Sequence, residues 1–172
     1  FYPLSLHDAL PILGPSIDLD DLDEILKLAL VEKHNRVVIT GDLIDKLAWL
    51  PQVCERLTTF AKQIPDGVDF ILGNHEYHHD VNKVLDSLKR NTPMNILVNS
   101  NIQIMGGKQP VYIAGVAYDN DREKEKREAM IDKALSGIPD YAFVILLAHH
   151  PEFFEESIER KIPLTLSGHT HG

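Results

Sequence analysis

Seven of the nine histidines in the sequence lie in three short clusters, at positions 75–79, 149–150 and 169–171. Imidazole binds metal ions and exchanges protons near neutral pH, so this clustering favours metal or acid/base chemistry. Asp42 and Asn74 add a carboxylate and a neutral amide oxygen. Such a ligand set suits Mn, Fe, Zn or Co. An aspartate oxygen can bridge two of these ions, and a pair of ions is typical of phosphoryl transfer.

Each of these positions follows a stretch of sequence that predicts a buried strand. Apolar and β-branched runs predict strands over residues 36–40, 68–72, 142–148 and 162–166. In open α/β sheets, ligands and catalytic groups gather at the carboxyl ends of the strands. The four strand ends therefore predict one shared site, formed by Asp42, by Asn74 with His75, by His149, and by His169 with His171.

Each of these residues also has an ordinary explanation when it is taken alone. Asp42 could cap a helix. His149 could be a hydrogen-bonded core histidine, and the Gly-His-Thr-His stretch from residue 168 could be an exposed loop or a weak adventitious metal site. The recurrence of such residues at four strand ends favours a common site over these separate explanations.

Helices and strands alternate along the first half of the chain. Apolar periodicity predicts helices over residues 18–34, 47–63, 80–90 and 120–135. The alternation predicts a parallel sheet covered by helices, with Asn74 and His75 on a short loop after the second strand. Short strands over Asn95–Val98, Ile102–Met105 and Val111–Gly115, separated by turns, predict an antiparallel meander. The predicted fold class is therefore α/β.

The composition limits the classes of function. The 172 residues are enough for one domain with a core, and the net charge of −9 argues against binding nucleic acid or an anionic membrane. Cys54 is the only cysteine, which excludes an intrachain disulfide and favours a reducing, cytoplasmic compartment. The sequence contains neither G-x-x-x-x-G-K-[ST] nor G-x-G-x-x-G, so a nucleotide-binding module has little support.

Four short motifs occur in a fixed order: G-D-x-x-D from Gly41, G-N-H-E from Gly73, H-x-P from His149 and G-H-T-H-G from Gly168. In this order they resemble the calcineurin-like metallophosphoesterase superfamily, over the chain from Leu13 to its end. The stretches L-G-N-H-E-Y, L-L-A-H-H-P and L-S-G-H-T-H-G are similar to its YkuE-like phosphodiesterase branch. The resemblance implies a four-layer αββα sandwich with two mixed β-sheets.

The resemblance also implies a role for each motif residue. Asp42 would bridge two divalent ions, with His171 on the first ion and with Asn74, His149 and His169 on the second. His75 would be the catalytic histidine near the leaving group, and Asp45 would orient it. His149 is preferred over His150 because the family histidine lies two residues before the proline, here Pro151. His78, His79 and His150 are interpreted as polar residues at the rim, outside the site.

The start of the chain departs from the family pattern, which opens with a D-x-H motif. Positions 10 and 12 should hold that Asp and His, and they hold Leu10 and Ile12. The stretch L-S-L-H-D-A-L-P-I over residues 4–12 resembles a reading frame of a sequencing adapter, so residues 1–12 are predicted to be a non-native scar. Residues 13–172 are then one metallophosphoesterase domain, incomplete at both ends.

The resemblance implies hydrolysis of a phosphodiester or pyrophosphate by a metal-bound hydroxide at a dinuclear centre. Lys46 and Leu47 after the G-D-x-x-D motif argue against the protein Ser/Thr phosphatases, which have Arg-Gly there. The implied substrate is a small phosphoester or a lipid-linked nucleotide such as UDP-2,3-diacylglucosamine, processed in the cytoplasm or at the inner face of the membrane. The alternative is a defective domain that binds at most one metal and has no turnover. Oligomeric state is left open.

Overall fold

Two β-sheets lie face to face at the centre of the protein, and helices cover the outer face of each. The structure is a computed structural model that describes residues 18–118 and 123–170. The predicted scar over residues 1–12, with Leu10 and Ile12, lies outside these residues, as does His171.

The predicted helices and strands occur in the predicted order, together with two short helices, Asn74–Tyr77 and Phe154–Glu159, that the sequence did not predict. The helices are α1 (Leu19–Val31), α2 (Leu50–Ala61), α3 (Asn74–Tyr77), α4 (Val81–Asn91), α5 (Lys124–Leu135) and α6 (Phe154–Glu159). The strands are β1 (Val37–Ile39), β2 (Val68–Phe70), β3 (Asn95–Ile96), β4 (Ser100–Met105), β5 (Val111–Gly115), β6 (Phe143–Ala148) and β7 (Leu164–Ser167). None of the helices in the described ranges is long and apolar enough to cross a membrane.

The strands form a three-stranded sheet in the order β1-β2-β3 and a four-stranded sheet in the order β4-β5-β6-β7. The second sheet is mixed, because β4 is antiparallel to β5 whereas β5, β6 and β7 are parallel. The three described strands of the first sheet are all parallel. This arrangement confirms the predicted four-layer α/β sandwich.

The antiparallel meander predicted for residues 95–115 is wrong in its first strand. β3 pairs with β2 in parallel, with Asp69 opposite Asn95 and Phe70 opposite Ile96. The helix α4 lies between these strands in the chain, and a strand–helix–strand connection returns the second strand in the same direction as the first. Only β4 and β5, which a turn around Gly106 connects, form the predicted antiparallel pair.

Apolar packing fixes the order of the layers. Helices α1, α2 and α4 pack on the first sheet, and α5 packs on the second through Ile131 and Ala134. Along β6, Ile145 and Leu147 face the other sheet, whereas the alternate residues of the strand face α5. At Gly115 a Cβ atom would overlap Ile71 of the facing sheet, so this glycine permits the close approach of the two layers.

Candidate metal centre

Four polar side chains, two from each sheet, meet at the carboxyl edge of the strands. Asp42 follows β1 and Asn74 follows β2, while His149 follows β6 and His169 follows β7. The structure therefore brings together four of the residues that the sequence predicts for the site. His171, the fifth predicted ligand, lies outside the described residues.

The donor atoms of these side chains are close to one another. Oδ1 of Asn74 lies 2.9 Å from Nε2 of His149 and 2.9 Å from Nδ1 of His169. Nε2 of His149 lies 3.2 Å from Oδ2 of Asp42 and 3.3 Å from Nδ1 of His169. The carboxylate oxygen and the two ring nitrogens all lie within 4.8 Å of one another.

Few protons are available to link these atoms. Nδ1 of His149 lies 2.6 Å from the carbonyl oxygen of Thr40, and a carbonyl only accepts, so Nδ1 carries the proton. The Nε2 atom of a neutral His149 then presents a lone pair to the site. The amide oxygen of Asn74 and an ionised Asp42 present lone pairs as well. At least three electron-pair donors therefore face one another in the neutral-imidazole state.

Asp42 and His149 shift each other's pKa in opposite directions. Burial alone would raise the pKa of Asp42, but the hydrogen bonds to His149 and to the backbone N–H of His75 outweigh it and hold that pKa below its ordinary value. Burial alone would lower the pKa of His149, but the contacts with Asp42 raise it above its ordinary value. The site thus favours negative charge on the aspartate and attracts positive charge beside it.

A divalent cation fits this donor set. Nitrogen and oxygen ligands lie about 2.0–2.2 Å from a transition-metal ion, which separates neighbouring ligands by about 2.8–3.5 Å. Four of the separations between the donor atoms, 2.9–3.3 Å, agree with that range. One carboxylate, one amide oxygen and two imidazoles suit Mn, Fe, Zn or Co.

His75 and Asp45 form a second pair at the edge of the donor cluster. Nδ1 of His75 lies 2.7 Å from Oδ1 of Asp45, and Nε2 of His75 lies 4.0 Å from Oδ2 of Asp42. The carboxylate accepts from Nδ1–H, so Nε2 is the ring atom left to exchange a proton on the side of the cluster. The His75 side chain is 28% exposed, which leaves it accessible to a substrate.

Asn74 and His75 do not lie on a loop, as the sequence predicted, but in the one-turn helix α3. The physical reason is Glu76, whose carboxylate accepts the backbone N–H of Gly73 at 2.7 Å. This contact caps the first turn and makes the chain helical directly after β2.

Glu76 is the functional residue that sequence reasoning missed. Its side chain is fully buried and also accepts the backbone N–H groups of Asp42 at 3.0 Å, Leu43 at 2.6 Å and Ile44 at 2.8 Å. Burial raises the pKa of Glu76, and the backbone donors oppose that rise. The backbone of Asp42 has a φ of 59°, a left-handed conformation that persists only where the surroundings fix it. Glu76 supplies that constraint.

Replacing Glu76 by glutamine should lower the free energy of unfolding by about 2–6 kcal/mol. Each carboxylate oxygen accepts two backbone N–H groups. An amide would place an NH₂ group against two of them, at about 1–3 kcal/mol for each donor left without an acceptor. Urea unfolding measures the change, with the exposed Glu55→Gln as matched control. Equal stability of the two variants would contradict this role for Glu76.

Gly73 allows the two strand-end loops to touch. A Cβ atom at this position would overlap the backbone N and the carboxylate of Asp42 and would lie 2.7 Å from Cε1 of His149. Gly73→Ala should therefore displace the donor atoms and lower metal affinity at least about 10-fold, the scale seen when the support of a ligand is lost. Calorimetric titration with Mn²⁺ measures this. Gly106→Ala, where an added Cβ has only ordinary contact with Gln103, should bind like the parent.

Three further side chains lie at the edge of the donor cluster. The ring of His150 packs 4.0 Å, between centroids, from the ring of His169, and Tyr118 lies 5.9 Å from His150. The ring of His79 contacts the backbone of Asp45. The prediction that His79 and His150 only supply polarity at the rim is therefore incomplete, since both contact residues of the site. Tyr118 was not predicted, although its position after β5, beside β6, could have indicated it.

Comparison with known proteins identifies the family to which the sequence is similar. The sequence profile described as calcineurin-like phosphoesterase matches residues 6–172. Three relatives are similar to almost the whole chain. An uncharacterized metallophosphoesterase of Campylobacter jejuni is 34% identical over 93% of the chain, and one of Aquifex aeolicus is 32% identical over 93%. The uncharacterized metallophosphoesterase YkuE of Bacillus subtilis is 28% identical over 90%.

The chain spans 41%, 59% and 53% of the lengths of these three relatives, respectively. The resemblance to calcineurin-like metallophosphoesterases that the motifs predicted is confirmed, and YkuE is among the relatives. This family membership implies divalent metal as a cofactor, which agrees with the donor set at the carboxyl edge.

Proposed function

Because the chain belongs to the calcineurin-like phosphoesterase family, we propose that it hydrolyses phosphoester bonds in a metal-dependent reaction. One observation carries the proposal. Four polar atoms from four strand ends converge with neighbouring separations of 2.9–3.3 Å, and at least three of them present lone pairs when the imidazole of His149 is neutral. A divalent cation is the partner that such a set of donors needs.

In this proposal Asp42, Asn74, His149 and His169 would hold one cation. Asp42 would also be a ligand of a second cation, which His171 would help to hold, so that the centre would be a dinuclear one of Mn, Fe, Zn or Co. When bound, such ions neutralise charge on phosphoryl oxygens and lower the pKa of water. Thr40 accepts a hydrogen bond from Nδ1–H of His149, and Glu76 accepts one from the backbone N–H of Asp42. Both contacts fix the position of a ligand residue.

His75 acts on the leaving group. Its Nδ1–H donates to Asp45, which fixes the ring so that a proton on Nε2 points towards the substrate. Protonation of the leaving oxygen by a positioned imidazole contributes about 10²–10⁴-fold to such reactions. Asp45 thereby positions His75 and stabilises its positive charge while the ring is protonated.

The proposed substrate is a small phosphodiester or pyrophosphate, with a lipid-linked nucleotide such as UDP-2,3-diacylglucosamine as the specific candidate. The net charge of −9 disfavours nucleic acid, whereas a cation at the site reverses the local field for a small anion. Lys46 in place of the arginine of the Ser/Thr phosphatases supports a substrate other than a phosphoprotein. We propose that the reaction takes place in the cytoplasm or at the inner face of the membrane.

Hydrolysis of bis-p-nitrophenyl phosphate tests the proposal, with UDP-2,3-diacylglucosamine as the second substrate. Mn²⁺ should activate the protein, a chelator should abolish turnover, and two ions per chain should be found by elemental analysis. Leu10 and Ile12, which replace an expected Asp and His, favour the alternative of a one-metal domain without turnover. One bound ion per chain and no hydrolysis of either substrate would establish that alternative.

A further inference from the structure

Asp45 is held at two points by two different imidazoles. Its side chain accepts from Nδ1 of His75 at 2.7 Å, and its backbone carbonyl lies 2.8 Å from Nε2 of His79. His79 follows α3 and lies four residues after His75 in the chain. The two rings therefore reach the same residue from one segment.

The chemistry of the second contact is unambiguous. A carbonyl oxygen only accepts, so Nε2 of His79 carries the proton and donates. The contact is partly buried, which protects it from exchange with water. A hydrogen bond to a backbone atom fixes the position of the main chain, and the position of the Asp45 carboxylate follows from it.

The contact between His79 and Asp45 lies in a segment whose backbone is held on both sides. Glu76 holds the loop after β1 through the backbone N–H groups up to Ile44. The carbonyl of Lys46 then begins the turn that leads into α2, by accepting from Trp49 N at 2.9 Å. His79 holds the carbonyl of Asp45, which lies between Ile44 and Lys46 in the chain. Asp45 is also the residue that orients His75.

We propose that His79 is a positioning residue that holds Asp45 in place, so that Asp45 keeps the His75 ring in its Nδ1–H tautomer with Nε2 directed to the substrate. This inference rests on the proposed function for its consequence in catalysis, but the positioning itself is independent of turnover. His79 contacts neither the donor cluster nor the reacting atoms in this role; it acts only through Asp45.

Long-range ¹H–¹⁵N spectra of the imidazoles test the positioning directly. At a pH where the spectrum itself shows a neutral ring, the parent should show His75 in the Nδ1–H tautomer, with His75→Gln to assign the signal. His79→Ala should give a mixture of tautomers at His75. His79→Gln, whose side-chain NH₂ can donate to the same carbonyl, should restore the parent spectrum. His34→Ala, beyond α1 at the opposite edge of the sheet, is the matched control.

A parent-like His75 spectrum in His79→Ala would overturn the inference. A spectrum of His79→Gln that matches His79→Ala would overturn it too, because the donated hydrogen bond would then not be the cause. The backbone amide spectrum of each variant shows whether it has folded, and a general change there in both variants would identify a structural role instead and so contradict the inference.

Turnover supplies the second readout. His79→Ala should lower kcat about 10-fold with little change in KM, less than the loss expected for removing a general acid outright. The loss should be larger for an alkyl leaving group than for p-nitrophenolate, which needs no proton. An inactive parent whose His75 tautomer still depends on His79 would refute the proposed function and leave the positioning role standing. Equal losses for both leaving groups would separate His79 from His75 and overturn the catalytic part of the inference.

Discussion

His75→Ala should bind metal like the parent and hydrolyse a phosphodiester with an alkyl leaving group, which needs a proton to depart, about 10²–10⁴-fold more slowly. The ring of His75 lies outside the donor cluster, with Nε2 4.0 Å from Oδ2 of Asp42, and only its backbone N–H contacts that carboxylate, at 3.0 Å. Alanine keeps the backbone donor and removes the imidazole. Metal affinity and catalysis should therefore separate in this variant.

Calorimetry with Mn²⁺ and initial rates at saturating substrate measure the two effects. His78→Ala is the matched control, because His78 is exposed and its ring lies 5.2 Å from that of His75. The control should keep parental rates within a few-fold. Near-parental turnover in His75→Ala would show that another group protonates the leaving oxygen, and loss of metal in this variant would show that the imidazole supports the donor cluster.

Asp42→Asn should lower metal affinity by at least about 100-fold, more than loss of a supporting contact costs. The substitution keeps the shape of the side chain, and asparagine tolerates the left-handed backbone at this position better than most residues do. It removes the negative charge of the donor cluster. It also removes the contact that raises the pKa of His149 above its ordinary value.

Competition with a chromophoric chelator measures the affinity, and urea unfolding without metal shows whether the fold survives. Asp66→Asn, an exposed aspartate in the turn before β2, is the matched control for the loss of one negative charge. Parental metal affinity in Asp42→Asn, with weakened affinity in the control, would mean that overall charge and not ligation attracts the cation.

The convergence of Asp42, Asn74, His149 and His169 could be predicted because it depends only on strand order and direction. Each residue lies directly after an apolar run, and parallel strands present their carboxyl ends at one edge. The same reasoning would have placed Tyr118, which follows β5, near the site. Their roles as metal ligands, and that of His171, stay predictions.

Contacts made through the backbone could not be predicted in this way. Glu76 accepts N–H groups from residues 33 and 34 positions away, and a sequence pattern does not indicate which loop will lie against a given carboxylate. The contact of His79 with the carbonyl of Asp45 also joins a side chain to a distant backbone atom, so the sequence pattern does not indicate it. The antiparallel prediction for β3 is wrong for a different reason: its short spacing from β4 is typical of a meander, but the helix α4 before it returns the strand parallel to β2.

The division of the donor cluster between two sheets has a consequence for the thermodynamics of assembly. Asp42 and Asn74 extend from the three-stranded sheet, whereas His149 and His169 extend from the four-stranded one. Neither sheet alone presents more than two of the four donors. Burial of residues such as Ile71 and Ile145 between the sheets brings the pairs together. The conformational entropy of gathering the donors is therefore lost during folding, and a cation arriving afterwards meets a site that is already ordered.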